Sequence, residues 1–187
     1  KYKIPVIVLG DKHLGESSYT LDEIPDITKS EKSTNFGRYT SYEHNERGIA
    51  IEDSETIIKN FDRRNKKIKD IAKEMKKFKN YKIYGKKNSK NLIVSWGSPK
   101  GSILDSIEDL NCGFLQILYL EPFPEEIKKI LKGKKLILVE NSSRGQLSEL
   151  IAEKTGIFIE EKNKILKYDG RPFYNEELNK EIKKRIK

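Results

Sequence analysis

Apolar residues in this chain gather into short runs divided by turn residues, and their spacing changes along its length. The first run, Ile4-Pro5-Val6-Ile7-Val8-Leu9, follows Lys3 and ends at Gly10-Asp11-Lys12-His13. Its β-branched content is that of a buried strand with a loop at its carboxyl end. No partner strand lies near it in sequence, which predicts a sheet completed by residues outside this chain. Residues 22–48 mix prolines, glycines and scattered aromatics (Phe36, Tyr39, Tyr42) without a strand or helix period, and read as a linker. Over residues 55–78, Ile57, Phe61, Ile68, Ala72 and Met75 fall close to one helical face, with Asp53 or Ser54 as the cap. The spacing predicts a long amphipathic helix.

After the turn at Tyr84-Gly85-Lys86-Lys87-Asn88 the pattern becomes one of alternating short strands and helices. Strands are predicted at 92–96, 114–120, 135–140, 158–159 and 165–168, and helices at 98–110, 124–132, 145–155 and 175–186. Such alternation defines an α/β fold with a doubly wound, mostly parallel sheet, here preceded by a linker carrying the amphipathic helix.

Composition narrows the function classes. With 187 residues the chain is long enough to bury a core, and with 36% charged residues it does so beneath a highly charged surface. Residues 59–87 hold thirteen Lys and Arg against Asp62, Asp70 and Glu74, a local charge of +10 that exceeds the chain's net +9. Charge alone gives non-specific nucleic-acid binding, and no recognition motif or aromatic platform accompanies it. A solvated lysine face explains the same residues. Cys112 is the single cysteine, so this chain alone forms no disulfide, iron–sulfur cluster or cysteine zinc site. No run reaches the roughly 18–20 apolar residues that cross a bilayer, and the opening residues are too short for a signal peptide. A cytoplasmic location follows as the expectation. The start at Lys1 opens directly on the strand-like run and reads as an internal boundary, that of a fragment or a processed piece.

Two turns carry candidate chemistry. In Ser95-Trp96-Gly97-Ser98-Pro99-Lys100-Gly101-Ser102, Ser98 suits a helix cap and Pro99 the first helical position, so backbone donors beside Lys100 and Gly101 would face an anion. The spacing is that of neither a phosphate loop nor a dinucleotide fingerprint, and a plain tight turn explains it as well. In Glu140-Asn141-Ser142-Ser143-Arg144-Gly145-Gln146-Leu147 a strand closes and a helix opens, where ligands or partner chains approach an open parallel sheet. Asn141, Arg144, Gly145 and Gln146 are the contacts there, in an interface or capping role as readily as in catalysis. His13 and His44 stand thirty-one positions apart in sequence and define no dyad, and no metal site is expected. Cys112, beside Gly113 and ahead of an apolar strand, reads as a small buried residue rather than a nucleophile.

Taken in order, several segments resemble the alpha-type subunits of 2-oxoacid:ferredoxin oxidoreductases. They are Tyr2 through Leu9 with Asp11-Lys12, Tyr42-Glu43-His44-Asn45-Glu46-Arg47-Gly48, the basic helix around Arg63-Arg64, and Trp96-Gly97-Ser98 with Lys100-Gly101. Pro122-Phe123-Pro124, Glu140-Asn141 with Gly145-Gln146-Leu147, and Tyr168-Asp169-Gly170-Arg171-Pro172-Phe173 complete the series. The resemblance implies an enzyme that decarboxylates a 2-oxoacid on thiamine diphosphate, transfers the acyl group to coenzyme A and passes electrons through an iron–sulfur cluster to ferredoxin. It implies a separate beta-type subunit holding the diphosphate, Mg²⁺ and cluster. On that mapping, residues 1–20 are the end of a pyrimidine-side thiamine diphosphate domain, 21–85 the linker and basic helix, and 86–187 a transketolase carboxyl-terminal-like domain. The family's Tyr-Pro-Ile-Thr-Pro segment is absent from these residues and the loop before Glu43 is shorter, so no catalytic residue carries over. This segment is then mainly an assembly piece, with Lys100, Arg144 or the basic helix as charges that attract coenzyme A. A nucleic-acid-binding module and a stand-alone small-molecule-binding α/β domain are the alternatives.

Overall fold

The computed structural model describes residues 2, 4–23 and 40–186; Lys1, Lys3, Phe36 and Tyr39 fall outside them. The chain divides into two units, one of residues 1–3 with 18–74 and one of residues 4–17 with 75–187.

In chain order the elements are α1 (Lys12–Glu16), β1 (Glu43–His44), β2 (Ala50–Ile51), α2 (Ser54–Met75), β3 (Tyr81–Gly85), β4 (Asn91–Trp96), α3 (Lys100–Ser106) and β5 (Gly113–Ile117). There follow α4 (Ile127–Leu131), β6 (Lys135–Glu140), α5 (Gln146–Thr155), a single 3₁₀ turn, β7 (Lys164–Leu166) and α6 (Asn175–Ile186).

The larger unit is built on a five-stranded sheet in the order β3-β5-β4-β6-β7. β4 pairs in parallel with both β5 and β6, and β6 in parallel with β7, while β3 alone runs antiparallel, against β5. Strands covered on both faces need apolar residues at consecutive positions, and Leu92-Ile93-Val94, Phe114-Leu115 and Leu136-Ile137-Leu138-Val139 supply them. Successive side chains alternate between faces. Ile93, Phe114, Ile137 and Val139 pack with Ile103 and Ile107 at α3 and with Leu178 and Ile182 of α6. Leu92, Val94, Leu115, Leu136 and Leu138 pack with Ile127 and Leu131 of α4 and with Leu147 and Ile151 of α5. Helices thus cover both faces, the doubly wound arrangement expected from the alternating pattern.

The structure corrects four element assignments. Residues 4–9 form no strand, and Val6, Ile7 and Val8 are about four-fifths exposed at 79%, 82% and 87%. Apolar character proposes a strand, but a strand also needs a neighbour for its backbone groups, and none of the described strands pairs with these residues. Residues 81–85, left in the linker by the sequence pattern, are the edge strand β3; Tyr84 stacks on Phe114 across the ladder at 5.5 Å. Residues 158–159 are not a strand, and α3 is shorter than the 98–110 expected because the chain leaves it at Ile107 in a turn.

In the smaller unit, β1 and β2 form a two-stranded antiparallel hairpin. Asn45 shapes its turn, the side-chain oxygen accepting from the backbone N–H of Arg47 at 3.0 Å and of Ile49 at 3.1 Å. The Asp53 carboxylate accepts from the N–H groups of Glu55 and Thr56, each at 3.2 Å, and so caps α2 as its sequence position predicts.

Cys112 is buried ahead of β5, and burial, only partly offset by Lys86, pushes its thiol up from the ordinary 9.0 to about 11. Its thiol is therefore expected to resist a maleimide at pH 8 in the folded chain and to react once the chain is unfolded in urea. Because the folded value lies above the unfolded one, the thiol's contribution to stability is intact below pH 9 and lost as pH rises toward 11. Ile137, fully buried on the central strand β6, tests the core: Ile137→Ala is expected to cost about 2–5 kcal/mol in urea unfolding without a change of slope.

Candidate functional site

Parallel pairing of β4 with β6 places the turns that follow them at the same edge of the sheet. Gly97, Ser98, Lys100 and Gly101 come from the first turn, and Asn141, Arg144, Gly145 and Gln146 from the second. This carboxyl edge is the candidate site. His44 lies in the smaller unit, which is described by itself below.

In the first turn, Gly97 takes a left-handed conformation with φ of 69°. Ser98 does not cap α3: its hydroxyl donates to the carboxylate of Asp11. The same carboxylate accepts from the N–H of Leu14 at 2.9 Å and caps α1, so Asp11 ties residues 4–17 to this turn. Pro99 occupies the cap position with a helical backbone and no side-chain hydrogen bond. Lys100 places its ammonium 5.8 Å above the Tyr84 ring, and the Tyr84 hydroxyl donates to Gln116 Oε1 at 3.1 Å. Gly101 is exposed. α3 has seven residues and its first turn offers no side-chain cap, so an anion there would rest on Lys100 more than on the helix.

In the second turn, Glu140 is 4% exposed and its Oε2 accepts from the N–H of Leu147 at 3.0 Å. A buried carboxylate at a helix amino terminus satisfies a free donor and meets the positive end of the helix dipole. Gly145, which precedes the helix, has φ of 71°, and a Cβ there would come within 2.8 Å of the Leu138 side chain. Only glycine fits both conditions. Ser142 Oγ accepts from the Gly145 N–H at 2.9 Å, Arg144 pairs with Glu149 at 3.0 and 3.2 Å, and Asn141 Nδ2 reaches the Lys167 carbonyl at 3.5 Å. Gln146 is exposed.

β7 adds a third turn beside the second. Lys167 hydrogen-bonds Asp169 at 3.0 Å, which holds that carboxyl below its ordinary range, and the Asp169 side chain accepts from the Arg171 N–H at 3.0 Å. Tyr168 and Arg171 are exposed. Phe173 is buried, and its carbonyl accepts from the Ser102 hydroxyl of α3 at 2.8 Å.

His44 sits in a clasp around α2. Its Nε2 is 3.1 Å from the Thr40 hydroxyl, and its carbonyl accepts from Asn60 Nδ2 at 3.2 Å. Arg64 forks onto the Glu43 carboxylate, with one contact at 3.0 Å, and holds that carboxyl below its ordinary range. The segment Tyr42 to Gly48 therefore binds a helix within its own unit.

The edge is rich in polar groups whose partners are internal. Ser98, Glu140 and Arg144 are each engaged by a neighbour, and among the described residues no group of three or more His, Cys, Asp or Glu gathers as a metal site. Sequence reasoning located both turns but missed Asp11, Tyr84 and Gln116. Asp11 is 87 positions from Ser98, and Tyr84 and Gln116 meet only through the antiparallel β3. What this edge can do is present cations and aromatic surface to a ligand or partner chain.

The larger unit is thus an α/β domain of the doubly wound type. The same fold occurs in a 2-oxoglutarate:ferredoxin oxidoreductase from Magnetococcus marinus, solved with 2-oxoglutarate, coenzyme A and succinyl-CoA bound. The likeness has a TM-score of 0.66 at 23% identity, over 81% of this chain and 27% of that one. No protein-family model matches the chain. Among curated proteins it is 37% identical over 186 residues to 2-oxoacid:ferredoxin oxidoreductase 1, subunit alpha, of Sulfurisphaera tokodaii, covering 97% of this chain and 29% of the relative. It is 40% identical over 152 residues to the corresponding alpha subunit of Saccharolobus solfataricus, covering 78% of this chain and 24% of the relative. The chain belongs to the alpha-subunit family of the 2-oxoacid:ferredoxin oxidoreductases, as its ordered segments imply, and spans about three-tenths of the length of these relatives.

The capping role of Glu140 is directly testable. Glu140→Ala, which strands the Leu147 N–H, is expected to cost about 1–3 kcal/mol in urea unfolding, and Glu140→Gln, which keeps an acceptor, distinctly less.

Proposed function

We propose that this chain is part of the alpha-type subunit of an enzyme that oxidatively decarboxylates a 2-oxoacid to its acyl-CoA and reduces ferredoxin, acting in the cytoplasm. The observation that carries the reading is the match to alpha subunits over 97% of the chain. Within that subunit, residues 1–20 close a pyrimidine-side domain, 21–85 form the connection with the basic helix, and 86–187 with the edge strand β3 form a transketolase carboxyl-terminal-like domain.

The role of this segment is to build and position the assembly. Thiamine diphosphate, Mg²⁺ and an iron–sulfur cluster supply the decarboxylation and electron-transfer chemistry in such an enzyme. The residues present do not fit those groups: there is one cysteine, buried, and no carboxylate or histidine cluster among the described residues. We assign them to a beta-type subunit, as the family resemblance implies. The polar groups of the carboxyl edge serve internal caps and ion pairs, which supports a positioning role. Lys100 and Arg171 lend the edge positive charge that favours an anionic ligand such as coenzyme A.

The test is co-expression of the full-length subunit with its beta-type partner. A stable complex is expected to reduce ferredoxin only when both a 2-oxoacid and coenzyme A are supplied, with acyl-CoA as product. Failure of the two chains to associate, or association without acyl-CoA formation, sinks the reading.

A further inference from the structure

The face of the sheet beside the start of α3 gathers hydrogen-bond donors that no cap or ion pair uses. Side chains alternate along a strand, so Lys82 and Tyr84 of β3 share one face. Phe114, on which Tyr84 stacks, and Gln116 of β5 lie on that same face. Lys82 stands directly opposite Gln116 in the antiparallel register. Lys100, the first residue of α3, brings its ammonium to 5.8 Å from the Tyr84 ring. All of these residues belong to the sheet unit, so the group does not depend on how the two units sit together.

Gln116 is the centre of the group. It is 8% exposed, and its Oε1 accepts from the Tyr84 hydroxyl at 3.1 Å. That bond occupies the acceptor end of the amide and leaves the Nε2 donors without an acceptor among the described residues. Among those residues, Asn80 Oδ1 is the one buried side-chain N or O atom that is both sealed from solvent and unpartnered, so the Gln116 nitrogen meets solvent. Lys82 is exposed and Lys100 half-buried, and neither has an ion pair or hydrogen bond among the described residues. Holding an ammonium partly out of water without a counter-charge is unfavourable, and a bound anion relieves it.

The donors select the ligand. Amide N–H and ammonium groups only donate, so what they take is an acceptor, and two unmatched cations suit a dianion. A phosphate monoester carries about two negative charges at neutral pH and offers about three acceptor oxygens. A single carboxylate side chain reaching the site from elsewhere in the subunit would leave one of the lysines unmatched.

We infer that Lys82, Lys100 and Gln116 form a binding site for the phosphate group of a phosphate monoester, with Tyr84 holding the Gln116 amide in place. The inference goes beyond the oxidoreductase reading and stands on the sheet unit alone.

The experiment is acetylation footprinting of the full-length subunit purified with its beta-type partner, the modified lysines being read by mass spectrometry. Saturating inorganic phosphate is expected to slow acetylation of Lys82 and Lys100 roughly threefold or more against chloride at equal ionic strength. The exposed Lys128 and Lys129 of α4 are expected to react at an unchanged rate. Gln116→Glu keeps an acceptor for Tyr84 but replaces the free donors with negative charge, and is expected to abolish the protection. Lys100→Gln, outside the buried core, is expected to abolish protection of Lys82 and serves where the first variant fails to fold. Protection by coenzyme A but not by dephospho-coenzyme A assigns the group to the cofactor's ribose phosphate. Protection by inorganic phosphate alone assigns it to a separate phosphate ester, and either result supports the site. Lysines already unreactive before phosphate is added, because another part of the assembly covers them, overturn the inference. So does reactivity that phosphate leaves unchanged, or protection that survives in a folded variant.

Discussion

Everything in the larger unit hangs on β4, which is paired along both edges and covered on both faces. Its backbone groups are shared between β5 and β6, and Leu92, Ile93 and Val94 are 2%, 0% and 0% exposed. Parallel partners on both sides require the chain to leave and return over the faces of the sheet, and helices make those crossings. The same requirement sends every parallel strand in one direction, so the turns after β4, β6 and β7 gather at one edge. The candidate site is a consequence of how the core is wound.

The core strands were legible in the sequence because each holds consecutive apolar residues, a pattern that survives any detail of packing. The edges were not. β3 interleaves Lys82 between Tyr81 and Ile83, with no fully buried position, and β7 is three residues long with one buried. Edge strands are held by a single neighbour, so their identity lies in the partner more than in their own composition. Residues 4–9 fail in the opposite sense. They carry the apolar content of a core strand but have no strand neighbour among the described residues. Burial is a property of two surfaces, and a one-dimensional pattern describes only the first.

The site shows the same asymmetry. Which positions matter at the carboxyl edge could be read from turn residues and polar clusters, but what each does depended on partners remote in sequence. Ser98, suited by type to cap a helix, is taken by Asp11, and the free backbone donors expected at α3 are those of a helix too short to gather an anion alone. Glu140, chemically the most versatile group in its turn, is committed to the amino terminus of α5. Gly145 was visible as a turn residue, yet the reason it must be glycine, the approach of Leu138, belongs to the folded sheet.

Charge completes the contrast between the units. In the sheet unit, two basic residues of the carboxyl edge are matched locally, Arg144 by Glu149 and Lys167 by Asp169, so their field is short-ranged. On α2 the excess is unmatched and lies beside apolar surface. Unpaired cations on a helix where Ile58, Phe61 and Ile68 are more than half exposed are a poor arrangement in water alone, since the like charges repel and the stripe stays wet. Both defects are relieved by one surface that is apolar at its centre and acidic at its rim. The two properties that make α2 look least finished are therefore complementary to a single kind of neighbour, in this subunit's own remainder or in another chain, which is a stronger constraint on that neighbour than either the charge or the stripe taken separately.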